Sequence, residues 1–424
     1  MYDYSTFPDN LVYFVDMKSF FASVSCILMG LDPLKVKLAV VGDTNRDGSV
    51  VLAATPEMKK LGIKTGNRLF EIPKQKDIHI VNPSMSLYVN ISNKITELML
   101  TKYVAPIDFM QYSIDEFAFS MKGYEKLHKL SPLDLALKIQ QDIFDHFGIS
   151  SSIGIGSNLL LAKICMDIES KKHPSGISQW TYVDVPTKMW NITPLSKFWG
   201  IAKKTEQKLN RLGITTIGEL ARYPKEVLIK QFGNVIGTEL HLHSNGIDYS
   251  RIGEMKDYKP KDKSIGKSQV LLRDYHSHEI KTLILEQLEE VCFRLRSQNN
   301  QSRTIHFVIG YSSGIGGFSK SVTIEEPTNL TKDFYKVCLR ILEENYNQEP
   351  VRTISIALKN FVQSDTEQIS FFTNPIKKQK DQNLSAAMDS IRRKYGKNSL
   401  LRACSFTDFS TVRGNNKKIG GHYA

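Results

Sequence analysis

No two of the five cysteines are spaced as CxxC; Cys26, Cys165, Cys292, Cys338 and Cys404 lie scattered along 424 residues. That argues against zinc ligation and a disulfide framework, and fits a reducing cytoplasm. No apolar run reaches the ~18 residues of a membrane span, so no membrane partner is expected. The opening residues "MYDYSTFPDN" lack a basic segment followed by an apolar one, so no secretory leader is expected. No internal repeat is evident. Acidic residues are in deficit, with 44 Asp and Glu against 56 Lys and Arg and a net charge of +12. That excess favours a polyanionic partner. From Asn374 to Ala424 there are 11 Lys and Arg but 3 acids, so this stretch carries +8 of the total.

What is present is ordinary globular material, 41% hydrophobic and 24% charged. The length exceeds one compact core, and about two to four domains are expected. Leu11 to Val15 reads as a buried strand that breaks at Asp16, and a helical period starts at Ser19. "KLAVVGD" (37–43) and "SVVLAAT" (49–55) read as strands. "PEMKKLG" (56–62) reads as a short helix with proline in its first turn. Helices are expected over 84–104 and 131–147, with a hairpin between them. "SSIGIGSN" (151–158) runs from strand to turn, and 159–170 is helical. Helical pieces fill 184–245. Residues 251–263, polar and charged, read as a linker. From 264 to 360 the order is strand, helix, strand, strand, helix, strand, a βαββαβ unit. The fold class is α+β and multidomain.

"YSIDEFAFSM" (112–121) sets Asp115 and Glu116 side by side in an apolar stretch. An unpaired buried carboxylate costs several kcal/mol. If this strand neighbours the first one, Asp16 joins the pair. Three carboxylates that close need a compensating cation, and oxygen-only ligands select Mg²⁺ or Mn²⁺. The competing reading makes Asp16 a helix cap and Asp115-Glu116 an exposed turn.

"VDMKSFF", "YSIDEFAF" and "IGIGSNLLLAKICMD" occur in this order and at these separations. Together they resemble the palm of the Y-family, or translesion, DNA polymerases, in particular the UmuC-like branch. The resemblance implies a right-hand polymerase. Its palm would take residues 10–20 and 85–175, its small fingers 21–84, and its helical thumb with a helix–hairpin–helix 176–250. The linker 251–263, a little finger at 264–362 and a flexible basic tail at 363–424 would follow. It implies template-directed DNA synthesis by two-metal nucleotidyl transfer, with low-fidelity bypass of damaged template in DNA repair. Primer–template DNA and deoxynucleoside triphosphates would be the substrates, and two Mg²⁺ ions, or Mn²⁺, the cofactors.

Carried over residue by residue, Asp16 and Asp115 would bind both metals. Glu116 would bind the catalytic ion and the Met17 carbonyl the nucleotide-bound one. Phe21, five residues after Asp16, would be the steric gate against a 2′-hydroxyl, whereas the Phe20 ring reads as core. The amides of Ser19, Phe20 and Phe21 open a helix and could hold triphosphate oxygens. Lys163 would reach the triphosphate. Lys59 stands where other branches have arginine, and Pro56 where they have tyrosine.

"FWGIAKKTEQKLNRLGITTIGELARY" resembles the thumb hairpin without its usual second glycine; Gly200, Ala202 and Lys203 would meet a DNA phosphate. Lys267, Arg303, Lys320 and Arg352 are the candidate backbone contacts of the little finger. "EQISFF" resembles a peptide for the bacterial sliding clamp, with Gln368, Ile369, Phe371 and Phe372 as its anchors. A recombinase filament is a further candidate partner of the closing stretch. Two rivals remain: a metal-dependent nuclease using the same acids, and a non-catalytic DNA- or clamp-binding regulator.

Overall fold

The computed structural model describes residues 2–255, 263–314, 316–363 and 375–424. Gln368, Ile369, Phe371 and Phe372 lie outside the described residues. The chain divides into two compact units, residues 1–258 with 422–424 and residues 259–421.

The first unit is built on a five-stranded sheet. In chain order its elements begin with β1 (Val12–Met17), α1 (Phe20–Leu28), β2 (Lys37–Val41), β3 (Val51–Ala54), α2 (Pro56–Lys60) and β4 (Ile78–Val81). They continue with α3 (Met85–Lys102), β5 (Phe109–Gln111), β6 (Glu116–Ser120), α4 (Glu125–His128), α5 (Pro132–Phe147) and β7 (Ser151–Gly156). Then come α6 (Leu159–Cys165), a π-helical turn (Met166–Ser170) and β8 (Ile177–Trp180). The main sheet runs β5-β6-β1-β7-β8. β1 lies between β6 and β7, antiparallel to both. Its position explains its composition. Tyr13, Val15 and Met17 enter the core with residues of α3 and α5, while Val12 and Phe14 enter a second core with residues of α6. A strand buried on both faces loses its alternation.

The α6 helix lies almost on the sheet. A Cβ at Gly154 or Gly156 of β7 would collide with the backbone of Ala162. Glycine at these two positions lets the helix backbone approach, and Lys163 follows Ala162. The smaller sheet β3-β2-β4 is inserted between α1 and α3. The Thr55 hydroxyl caps α2 by accepting from the Met58 amide, and Pro56 occupies the first turn.

Helices α7 (Asp184–Thr187), α8 (Lys203–Arg211), α9 (Ile217–Arg222), α10 (Lys225–Phe232) and α11 (Asn234–Ser244) follow. They share a core that includes Trp180, Phe198, Ile201, Leu209, Ile217 and Leu220. The short α12 (Ile252–Met255) corrects the linker expectation at its start. Ile252 is buried with Val12, Phe14 and Met110, so the chain is still folded there. Ile252 and Met255 among charged residues carry too weak a pattern to be read as a helix.

The second unit contains β9 (Ser264–Tyr275), α13 (Ser277–Ser297), β10 (Asn300–Tyr311), β11 (Gly317–Thr328), α14 (Thr331–Asn345) and β12 (Val351–Gln363). Its sheet order is β11-β10-β12-β9. Ile305, Phe307, Ile309, Ile354, Ile356 and Leu358 share its core with residues of α13 and α14.

The flexible tail is overturned from residue 375 onward. There the chain forms α15 (Pro375–Tyr395) and packs against α13 by charge. Asp389 takes a two-pronged bond from Arg296, at 2.6 and 2.9 Å, and Glu289 pairs with both Arg392 and Arg402. Lys332 on α14 pairs with Asp381. Meanwhile Ile376, Leu384, Ile391 and Tyr395 stay exposed. A helix that docks through its polar face shows no buried apolar stripe to a reader of sequence. Asp389→Ala should therefore leave the Arg296 charge buried and unpaired, at a cost of about 3 kcal/mol. Limited proteolysis should then cut within 375–421 far faster than in the parent protein; equal rates would contradict this docking.

Candidate active site

β1 and β6 pair in a register that sets Asp16 directly opposite Glu116. Cross-strand partners share a face, and this one is the α6 side, where Phe14 is also buried. Asp115 sits in the turn just before β6. Its backbone carbonyl accepts from the Met17 amide at 2.9 Å, and its side chain accepts from the Ser113 hydroxyl at 2.8 Å. The three acids and the Met17 backbone thus meet at one end of the sheet. All three acids are part-buried, and Ser19, the residue before α1, makes no side-chain cap bond. The capping and exposed-turn reading does not hold.

Lysines answer these charges. The Lys163 ammonium lies 2.5 Å from Glu116 Oε1 and 3.2 Å from Asp167, over the Phe14 ring at 4.5 Å. Lys171 lies 3.1 Å from Asp16 and 2.8 Å from Asp167. Burial pushes the Asp16 carboxyl up to about 6; Lys171 opposes the rise, and Glu116 and Asp115 add to it. Burial alone would lower Lys171, but Asp16 and Asp167 more than offset it and the net shift is upward. Among the described residues, no three His, Cys, Asp or Glu side chains are gathered closely enough to hold an ion as they stand. The donor set nonetheless fits a hard divalent cation: every ligand atom is oxygen, and Asp16 pays for its burial with a raised pKa that a cation would relieve.

Beyond the acids the chain turns sharply. Ser19 adopts φ 51°, in the left-handed region, and α1 begins at Phe20. Such strain clusters at functional sites. Lys59 of α2 donates to the Ser19 hydroxyl at 2.8 Å, which brings it beside these first amides. Phe20 is buried in the core of the main sheet, as its helical register implied. Phe21 is half-buried and stacks on Tyr88 of α3, with centroids 4.4 Å apart and planes 12° from parallel. The Tyr88 hydroxyl is in turn fixed to Ser25 at 2.8 Å.

Sequence reasoning missed Tyr88, Asp167 and Lys171. Lys163, Asp167 and Lys171 recur every four residues, a spacing that brings side chains together on a helix, so that signal was present. Tyr88 lies 67 residues from Phe21, and no local pattern links them.

Gly200 has φ +89°, and Ala202 precedes α8 in extended geometry, φ −85°. A second glycine is not needed at a backbone any residue adopts. Ala202 offers no side-chain cap, so the first amides of α8 beside Lys203 are left for another acceptor.

The four cations of the second sheet fare differently. Lys267 is a correction. It pairs across strands with Ile356, a core residue, and so lies on the α13 side near Glu290 and Glu286; burial lowers its pKa. Arg352 is engaged by Asp274 at 3.2 Å. Arg303 sits at a bulge, and Lys320, opposite Phe307, is exposed on the edge strand. The other face carries Ser268, Ser355, Val308 and Ser319 in one cross-strand row, with His306 and Ser321 in the next. It is rich in hydroxyls and poor in charge.

Comparison with known proteins agrees with this geometry. Residues 15–167 match the impB/mucB/samB family, residues 262–371 its C-terminal domain, and residues 198–248 the thumb domain of DNA polymerase-iota. DNA polymerase IV 2 of Bacillus subtilis (strain 168) is 34% identical over 424 residues, covering 98% of this chain and 99% of the relative. The chain belongs to the impB/mucB/samB family, the Y-family of translesion DNA polymerases. Within it, the chain resembles the UV-damage repair protein UvrX of the same organism, with 47% identity over 426 residues and full coverage of both. A solved Y-family DNA polymerase chimera shares the fold, with a TM-score of 0.64 at 22% identity over 83% of this chain and 99% of that one.

Proposed function

We propose that this DNA-directed DNA polymerase extends a primer 3′ end with two Mg²⁺ ions held by Asp16, Asp115, Glu116 and the Met17 carbonyl. The observation that carries the reading is the β1–β6 register, which sets Asp16 against Glu116 with Asp115 beside them. Divalent cations held by these oxygens would supply the charge that activates the attacking oxygen and stabilises the leaving one. The chain's own groups do the rest. Lys163 and Lys59 neutralise the incoming triphosphate, and the amides at Ser19, Phe20 and Phe21 orient it. Phe21, braced by Tyr88, blocks a 2′-hydroxyl. The open start of α8, with Gly200, Ala202 and Lys203, takes a DNA phosphate without reading bases. The hydroxyl face of the second sheet, more than the four cations chosen from sequence, supplies backbone contacts.

Metal dependence is the direct experiment. Primer extension should proceed in Mg²⁺ or Mn²⁺, stop on chelation and return when the metal is restored. Extension that persists in excess chelator would overturn the metal assignment.

Gln368, Ile369, Phe371 and Phe372 are read as a peptide for the bacterial sliding clamp, and the closing segment as a second surface, with a recombinase filament as its candidate partner. Burying two phenylalanines and an isoleucine grosses roughly 5–8 kcal/mol, and ordering the peptide removes several kcal/mol of that. Replacing Phe371 and Phe372 with alanine should leave distributive extension on a short template intact and abolish stimulation by loaded clamp. Undiminished stimulation would place the contact elsewhere.

A further inference from the structure

Trp199 stands just before the α8 hairpin and belongs to two cores at once. It packs on the helical core that holds Phe198 and Leu209, and on the core that holds Val12, Phe14 and Leu159. Its indole N–H donates to the Tyr112 hydroxyl at 3.1 Å, and the two rings meet edge to face with centroids 6.2 Å apart. Tyr112 opens the turn that carries the acids. Its amide and the Ser113 amide both donate to the Glu116 carbonyl, at 2.9 and 3.0 Å. Its ring stands edge-on to Phe14 of β1 at 5.4 Å, and the Lys163 ammonium lies 5.6 Å from its centre. Backbone, aromatic ring and indole thus fix this side chain beside Glu116.

Yet Tyr112 is 43% exposed. A tyrosine hydroxyl both accepts and donates. Here it accepts from the indole, so its own proton points elsewhere, and among the described residues no acceptor takes it. A side chain locked by its neighbours with one donor unused is built to hold something brought from outside. What lies on either side says what that is. On one side are Gly200, Ala202 and the open first amides of α8, a seat for a DNA phosphate. On the other are Asp115 and Glu116. A primer strand with its 3′ end at the acids and an earlier phosphate at α8 passes between the two. The charged acceptors along such a strand are its phosphate oxygens.

Resting on the polymerase reading above, we propose that Tyr112 donates to the last internucleotide phosphate of the primer strand and that Trp199 holds it in place to do so. The contact reads no base. Tyr112 keeps its proton throughout. It holds the terminal sugar in line with the metal acids, so it acts on the alignment of the reacting oxygen and not on affinity for the nucleotide. Trp199 is a positioning residue that ties this contact to the hairpin.

The test uses the full chain, Mg²⁺, the correct deoxynucleoside triphosphate and single-turnover extension of two primers. One primer is natural, and in the other the last internucleotide linkage is a neutral methylphosphonate. Tyr112→Phe, which keeps the ring, should slow addition to the natural primer by about ten-fold, the scale of a lost hydrogen bond to a charged group. The nucleotide concentration at half-maximal rate should stay as in the parent. The neutral linkage should slow the parent, but should slow Tyr112→Phe by a factor about ten-fold smaller, because both changes remove one bond and cannot count twice. The same linkage placed in the template strand should affect parent and variant alike. Trp199→Phe, which keeps an aromatic ring and loses the N–H, should move the rates the same way by less; if it does not fold, Tyr112→Phe carries the test alone. Equal penalties from the neutral primer linkage in parent and Tyr112→Phe would make Tyr112 a brace for the hairpin only and overturn the proposal. A parent protein that fails to extend the natural primer would instead sink the polymerase reading itself.

Discussion

Asp115→Ala is expected to lower the rate of nucleotide addition by about 10³-fold or more, roughly 4 kcal/mol of transition-state stabilisation. Binding of primer–template should be almost unchanged. Asp115 is the cleanest of the three acids to remove. The bond it makes to β1 comes from its backbone carbonyl, which accepts from the Met17 amide and survives the substitution. The side chain itself meets the Ser113 hydroxyl. Asp16 and Glu116, by contrast, each neutralise a lysine, and their loss would leave Lys171 or Lys163 short of a partner. Single-turnover extension checks the prediction. A rate within a few-fold of the parent would remove Asp115 from the site.

Phe21→Ala should admit ribonucleotides, with discrimination between dATP and ATP falling on the order of 10²-fold, the scale at which an apolar pocket rejects an added hydroxyl. The ring is not free to yield. It lies flat on Tyr88, which is fully buried and tied to Ser25. Rigid support of this kind is what lets a side chain act as a wall. Tyr88→Phe keeps the stack and should change discrimination little, because the hydroxyl contributes one bond while the ring supplies the surface. The ratio of kcat/KM for the two nucleotides is the measurement. An unchanged ratio in Phe21→Ala would return Phe21 to the core alongside Phe20.

The parts of the fold that were legible are those whose burial follows a period. The run from Leu11 to Val15 showed a central strand because both of its faces are covered, one with Tyr13 and Val15, the other with Val12 and Phe14. The βαββαβ order of the second unit was legible because its strands alternate and its helices carry apolar stripes. The acids were legible as a group through chain order, and the four-residue spacing of Lys163, Asp167 and Lys171 marked their cationic partners. Tyr88 was not legible, because it needs the packing of α3 against α1. The charge of Lys267 points to a surface contact, but its parity with Ile265 decides its place: two residues apart on one strand, both face the core side. The closing helix was misread for the opposite reason. It docks through Asp381, Asp389 and Arg392, so its sequence has the polar look of a tail.

The central claim is that this chain adds nucleotides to DNA on instruction from a template. A primer labelled at its 5′ end, annealed to a longer template and incubated with the protein, Mg²⁺ and the four deoxynucleoside triphosphates, tests it most directly. The primer should be lengthened by residues complementary to the template, and lengthened too across a damaged template base. A shortened primer would show a nuclease built on the same acids, and a primer of unchanged length would show a binding protein; either result contradicts the account.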